Sequence, residues 1–228
     1  MQLNIKREIL VFGATGGTGI AIIREALARG YGVTAFVRDI PHAQHLFNGL
    51  CTDLSFYEGD ALNAEDVNRA IAPGLDAVVS ALGIYQRTPG HNTLTQATNN
   101  ILTAMKTSGP HRLICISSLG VGDSRGQGDL PTRIIQKTAL RFTLSDKETQ
   151  EAGIRNSNLD WTVIRPSRLL DEGGPVYYLT WTGEQPDKKL VWSINRAQVA
   201  SLSLDSLEDE SSIHKALNVT GTHVCGSK

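Results

Sequence analysis

No stretch of the 228 residues stays apolar for the roughly twenty positions that a bilayer-spanning helix requires, which argues against a membrane span. Cysteine is scarce as well. Cys51, Cys115 and Cys225 are odd in number, far apart and free of any Cys-x-x-Cys pattern, so neither a disulfide framework nor a structural zinc is expected. His91, His111, His214 and His223 show no metal-ligand spacing either. An excess of one charge is also missing: 22 Lys and Arg stand against 23 Asp and Glu, a net charge of -1, which leaves no global field to hold a nucleic acid or an anionic membrane. The opening Met1-Gln2-Leu3-Asn4-Ile5-Lys6-Arg7 lacks the apolar core of a secretory leader. The expectation is a soluble, cytoplasmic chain, monomeric or a small homo-oligomer, with no nucleic acid, membrane or metal partner.

What the chain does have is alternation. Short apolar runs at 8–12, 32–37, 54–58, 76–80, 112–116 and 160–164 alternate with helix-period segments, the pattern of βαβ units feeding a parallel sheet. Ile20, Ile23 and Leu27 share one helical face, and Gly30 supplies a stop. Leu94, Ala97, Ile101, Leu102 and Met105 form a longer amphipathic helix closing at Ser108-Gly109-Pro110. A Gly- and Asp-rich loop at 120–129 precedes one helical stretch at 131–155, and Pro166 ends the sixth strand. Residues 167–228, with apolar runs at 176–179 and 216–219 and a helix at 196–207, are too few for a second domain and are expected to complete the sheet and cover the substrate side. The fold class is α/β: a single domain over 1–228, built as a doubly wound parallel sheet of Rossmann type with helices on both faces.

The first strand runs into Gly13-Ala14-Thr15-Gly16-Gly17-Thr18-Gly19 and then a helix. A dinucleotide site needs such a strand, a turn without obstructing side chains, and a helix N-terminus whose free N–H groups face the pyrophosphate. Gly13, Gly16 and Gly19 hold those places, Gly17 adds freedom, and Thr15 and Thr18 carry hydroxyls for phosphate. Arg38, nineteen residues past Gly19 in Val37-Arg38-Asp39, sits where the adenosine ribose is read. A guanidinium there favours the 2′-phosphate of NADP, and NADP is the favoured cofactor. The alternative is NAD, with Asp39 reaching the ribose and Arg38 an ordinary solvated partner of that acid.

These residues, together with Glu58-Gly59-Asp60, Ala81-Leu82-Gly83, Ile116-Ser117-Ser118 and Leu159-Asp160-Trp161-Thr162-Val163-Ile164-Arg165-Pro166, resemble the atypical branch of the short-chain dehydrogenase/reductase superfamily that contains flavin reductase (biliverdin-IXβ reductase) and the NmrA-like proteins. The likeness covers nearly the whole chain. It implies that Asp60, with Ala61, meets the adenine, and that Ala81, Leu82 and Gly83 run along the ribose and phosphates. Pro166, Ser167 and Arg168 would cover the nicotinamide's other edge, although flavin reductase carries a histidine where Arg168 stands. The other reading of Asp60 is an N-cap for a helix beginning Ala64-Glu65-Asp66-Val67.

The wider superfamily uses Tyr-x-x-x-Lys as its proton donor, and no such motif occurs in the chain. In its extended members' version, Tyr-x-x-x-Lys-x-x-x-Glu, the matching segment runs from Thr143 through Lys147 to Glu151. A threonine hydroxyl is too weak an acid to replace a phenol, so oxidation of ordinary alcohols and sugar epimerisation lose their proton donor. Hydride transfer to a flavin, quinone or linear tetrapyrrole does not need it, because the added charge spreads over a conjugated system and solvent delivers the proton. Lys147 would then hold the nicotinamide ribose, and Ser117 or Ser118 would face the nicotinamide or the acceptor, with Ser118 and Lys147 as the catalytic pair. The plainer alternatives are turn-satisfying serines and a solvent-facing Lys147–Glu151 pair. Trp181, Tyr177 and Tyr178 either form a stacking wall or cover core, and core is favoured. The function that follows is an NADPH-dependent reductase of a small conjugated acceptor. The alternative is a non-catalytic NADP-binding sensor or assembly protein of NmrA-like type.

Overall fold

The computed structural model describes residues 6–50, 53–83 and 92–223; Cys51, His91 and Cys225 lie outside them. The central strand β1 (Glu8–Phe12) pairs in parallel with β2 (Gly32–Val37) on one side and β4 (Ala77–Ser80) on the other. Covered on both faces, Ile9 to Phe12 have no exposure, which is why that run is apolar without alternation. Outside β2 lies β3 (Leu54–Glu58); outside β4 lie β5 (Arg112–Ile116), β6 (Asp160–Pro166) and β11 (Lys215–Thr222), all parallel. Two antiparallel strands, β8 (Tyr177–Trp181) and the short β9 (Leu190–Val191), close the sheet on β11. The order β3-β2-β1-β4-β5-β6-β11-β8 reverses direction between β1 and β4, the switch point at which ligands collect in a doubly wound sheet.

Each face has its own core. Helices α1 (Gly17–Ala28), α2 (Ile40–Leu46) and α7 (Arg196–Glu208) bury Ile22, Ile23, Ala43, Val199 and Leu204 against Ile9, Val11 and Val79. Helices α3 (Ala64–Ala70), α4 (Thr93–Ser108) and α6 (Arg141–Arg155) bury Val67, Ile101, Met105 and Ile154 against Leu10, Phe12 and Val78. Each of the Val, Leu, Ile, Met and Phe side chains among them is worth roughly 1.5–3 kcal/mol when fully removed from water. The expected fold class therefore holds, as do the first three strands and the fifth at the expected residues.

The differences fall beyond β5. The single helix expected over 131–155 is two, α5 (Leu130–Lys137), capped by Asp129, and α6, with a break at 138–140. The break lets α6 lie on α4, where Asp146 accepts the Leu94 and Thr95 N–H groups at 2.9 and 3.1 Å, while α5 stands over the strand ends. Strand β6 runs past Ile164, carrying Arg165 into the interior. A two-stranded parallel sheet, β7 (Arg168–Leu170) with β10 (Ser193–Asn195), has no counterpart in the sequence expectation, because three residues are too few to show a period.

Arg165 is fully buried, and burial works against its charge, but the Glu151 and Asp123 carboxylates outweigh that and hold the guanidinium above its usual range. Glu151, itself 3% exposed in its side chain, takes Nε at 3.0 Å and Nη2 at 2.7 Å, and also the Ser117 hydroxyl at 2.6 Å. Removing the carboxylate leaves a buried cation with Asp123 alone. Glu151→Ala is expected to cost about 3–5 kcal/mol of stability in urea unfolding, whereas Glu148→Ala, which breaks a solvent-exposed pair with Arg125, costs about 1 kcal/mol or less. Equal losses in the two variants would contradict this account of the core.

Candidate functional site

The turn after β1 is held by close approaches that admit only glycine. Gly13 has φ +73°, and a Cβ there would lie 2.6 Å from the Ala81 backbone at the end of β4. The Gly16 N–H closes the turn on the Gly13 carbonyl at 3.1 Å, and α1 begins at Gly17 with no side-chain cap, so its first N–H groups are left for a ligand. Gly16 and Gly17 are exposed and bear no side chain, which leaves this cradle open to a phosphate. Gly19 stands apart from the other glycines of the turn. It is buried, lines neither cavity described below, and a Cβ on it would overlap the Gly13 carbonyl, so its requirement is packing within the turn.

Two cavities open along the carboxyl ends of the strands. The smaller, about 530 Å³, is lined by Gly13, Thr15, Gly16, Gly17, Arg38, Asp60 and Ala61. Arg38 is exposed at the tip of β2. Asp39 is not its partner: that carboxylate caps α2, accepting the His42 N–H at 2.9 Å. Asp60 is not the α3 cap either, since Asn63 accepts the Glu65 and Asp66 N–H groups. Asp60 instead accepts the Leu62 N–H at 2.9 Å and faces the cavity from its rim.

The larger cavity, about 790 Å³, spans the ends of β4, β5 and β6 and is roofed by α5 and β10. Ser117, Ser118, Lys147, Pro166, Ser167 and Arg168 all line it, with apolar walls from Leu82, Ile116, Leu119, Ile135 and Trp192. The serines differ. Ser117 is turned to Glu151, while Ser118 is half-buried and, among the described residues, its hydroxyl meets only the Leu119 carbonyl, at 3.2 Å. Lys147 is buried rather than solvent-facing, and its Nζ donates to the Ile116 carbonyl at 3.2 Å. Burial pushes its ammonium below the usual lysine range, against the pull of nearby Cys115, Glu151 and Asp146. Thr143 is buried one turn earlier on α6 and lines neither cavity. The Ser167 hydroxyl is tied to Thr220 at 2.6 Å, so the edge after β6 is fixed by β11.

Thr18, Ala81, Leu82, Gly83 and Arg196 line both cavities and join them into one trough across the switch point. Neither Arg196 nor Trp192 was among the expected site residues; Trp192 lies between two short strands that carry no periodic signal, and Arg196 opens α7, where the sequence marks a helix and no ligand. Tyr177 is exposed, and Tyr178 and Trp181 are half-buried. None of the three lines a cavity, so the expectation that this cluster covers core holds only for Tyr178, which packs against it. Trp181 donates to Gln127 at 3.0 Å and meets Trp192 edge-on. His214 lies tilted against Trp161 and contacts the Leu159 carbonyl, and the described residues hold no metal-binding group of three or more ligands. No helix among them is long and apolar enough to cross a membrane.

The same fold is found in known proteins. A family profile described as NAD(P)H-binding matches residues 13–210. An uncharacterised chloroplast protein of Arabidopsis thaliana is 28% identical over 224 residues, covering 93% of this chain and 76% of the relative. The uncharacterised YwnB of Bacillus subtilis is 27% identical over 173 residues, 73% of this chain and 75% of its own. Among solved structures, ChuY, an anaerobillin reductase from Escherichia coli O157:H7, superimposes with a TM-score of 0.74 at 23% identity, covering 96% of this chain and 100% of ChuY. A wide-type short-chain dehydrogenase/reductase from Veillonella parvula in complex with NADP gives 0.76 at 17% identity, covering 96% and 97%.

The buried lysine gives a pH signature. Unfolded, Lys147 titrates near its ordinary 10.5; folded, it titrates lower. Between those values the unfolded chain binds more protons, so the folded state gains stability as pH rises through the window. Lys147→Met, similar in volume and uncharged, removes that gain. Unfolding free energies measured at a series of pH values are expected to shift in favour of the wild type, relative to Lys147→Met, as pH climbs toward 10.5. A difference that stays flat over that range would mean that the ammonium is not desolvated.

Proposed function

The chain belongs to the NAD(P)H-binding family, and from that premise we propose that it is an NADPH-dependent reductase of a conjugated acceptor: a flavin, a quinone or a linear tetrapyrrole. The observation that carries this reading is the larger cavity, which opens beside the glycine turn with apolar and aromatic walls and with Lys147 beneath it. A plugged trough would have favoured a sensor. No tyrosine among the described residues lines the space, which supports a reaction that needs no phenol.

Bound NADPH supplies a hydride, the acceptor gaining that hydride and one solvent proton as NADP⁺ is left behind. The protein's part is alignment. The α1 N-terminus and the glycine turn hold the phosphates, Arg38 pairs with the 2′-phosphate, and Asp60 with Ala61 borders the adenine. Lys147, fixed from below by the Ile116 carbonyl, holds the nicotinamide ribose, and Pro166, Ser167 and Arg168 border the ring. Ser118, whose hydroxyl is lightly held, faces the acceptor, while Ser117 stays bound to Glu151. Leu119, Ile135 and Trp192 exclude water from a flat ring laid over the nicotinamide.

Two measurements test this. NADPH with FMN, riboflavin, quinones and biliverdin should lose its nicotinamide absorbance faster in the presence of protein; tight binding with no turnover of any acceptor would transfer the chain to the sensor class. Arg38→Ala should weaken NADPH binding roughly ten- to hundredfold, the range of a lost charged hydrogen bond, and leave NADH nearly unchanged. Parallel losses for both would remove Arg38 from the 2′-phosphate.

A further inference from the structure

Nothing in the sequence singles out Arg196; its place is made by the pairing of two three-residue strands. Strands β7 and β10 run parallel in the register Arg168↔Ser193, Leu169↔Ile194 and Leu170↔Asn195, so the next residue of each brings Asp171 beside Arg196. The Arg196 Nη1 donates to the Asp171 carboxylate at 2.7 Å. The segment after Asp171 is pinned to the start of α7: the Gly174 N–H donates to the Asn195 side chain, and Gln198 donates to the Pro175 and Val176 carbonyls. The guanidinium lies over the glycine turn, where a Cβ on Gly17 would come within 2.8 Å of the Arg196 Nε. Of the five residues that line both cavities, Arg196 alone is charged.

A dinucleotide that lays its adenosine in one cavity and its nicotinamide in the other carries its two central negative charges across that shared strip. Resting on the reading of the trough as a dinucleotide site, we propose that Arg196 is the pyrophosphate-binding cation, facing the α1 N-terminus from the opposite wall, and that Asp171 is the anion it exchanges for the pyrophosphate. The Asp171 side chain is 84% exposed against 26% for Arg196. An ion pair with so solvated an acid is easily given up, and a phosphate offers the planar guanidinium fork two oxygens where Asp171 engages one nitrogen. Among the described residues, Arg196 Nε and Nη2 have no hydrogen-bond acceptor, so the fork has donors to spare. The arrangement makes the segment after β7 and the start of α7 respond to the cofactor, although neither belongs to the glycine turn.

Calorimetric titration of NADPH and of 2′-AMP, which keeps the adenosine end and lacks the pyrophosphate, separates the possibilities. Arg196→Ala should weaken NADPH roughly ten- to hundredfold and leave 2′-AMP within about twofold, with Arg196→Lys falling between Arg196→Ala and the wild type. Asp171→Asn, which removes the competing charge, should tighten NADPH by roughly two- to fivefold. Parallel loss of both ligands in Arg196→Ala would make Arg196 a structural residue and overturn the assignment. Weaker NADPH binding in Asp171→Asn would overturn the exchange, since Asp171 would then be aiming the guanidinium. If the wild type binds NADPH tightly and Arg196→Ala is indifferent, this assignment alone falls; if the wild type binds neither ligand, the dinucleotide reading falls with it.

Discussion

A guanidinium with no solvent exposure is tolerable in this sheet because Glu151 meets it with both carboxylate oxygens and Asp123 closes the remaining side. Taking two such charges out of water is expensive, and the cost is recovered only where every donor finds an acceptor in good geometry. That condition locks α6 to β6 at one rotation. The helix face that carries Glu151 then also carries Lys147 and Thr143, and Lys147 one turn earlier is brought under the end of β5, against the Ile116 carbonyl. The same carboxylate takes the Ser117 hydroxyl and leaves Ser118 as the serine free to turn toward the cavity. The floor of the site is thus an outcome of how a buried arginine is satisfied.

From that floor the rest of the trough follows by topology. Strand order reverses between β1 and β4, so the loops after them diverge and leave a crevice, with Gly13 pressed against Ala81 on its far wall. The cations bordering it are spaced along its length: Arg38 in the smaller cavity, Arg196 at the junction, Arg168 and Lys147 in the larger cavity. A net charge of -1 over the whole chain conceals this local distribution.

What was legible in the sequence has local causes. A strand buried on both faces must be apolar without interruption, and Ile9-Leu10-Val11-Phe12 reads that way; a turn that presses against a neighbouring strand must be glycine, and Gly13 is. The absence of Tyr-x-x-x-Lys is equally local and equally readable. Asp39 and Asp60 were ambiguous because a short acid after a strand serves a helix cap or a ligand with the same spacing, and the structure gave the α2 cap to Asp39 and the α3 cap to Asn63. Gly19 has the spacing of a ligand-contacting glycine, and the fold adds a second constraint, because a Cβ on it would overlap the Gly13 carbonyl.

The sequence by itself determined the βαβ order, the glycine turn and the absence of a Tyr-x-x-x-Lys motif, since each depends on periodicity or on residues adjacent along the chain. Tertiary structure decided the break between α5 and α6, the burial of Lys147 and Arg165, and the meeting of Arg196 with Asp171, 25 positions apart, across β7 and β10. Those outcomes depend on which charge finds which partner once water is excluded, and a chain read in one dimension holds the charges but not the distances between them.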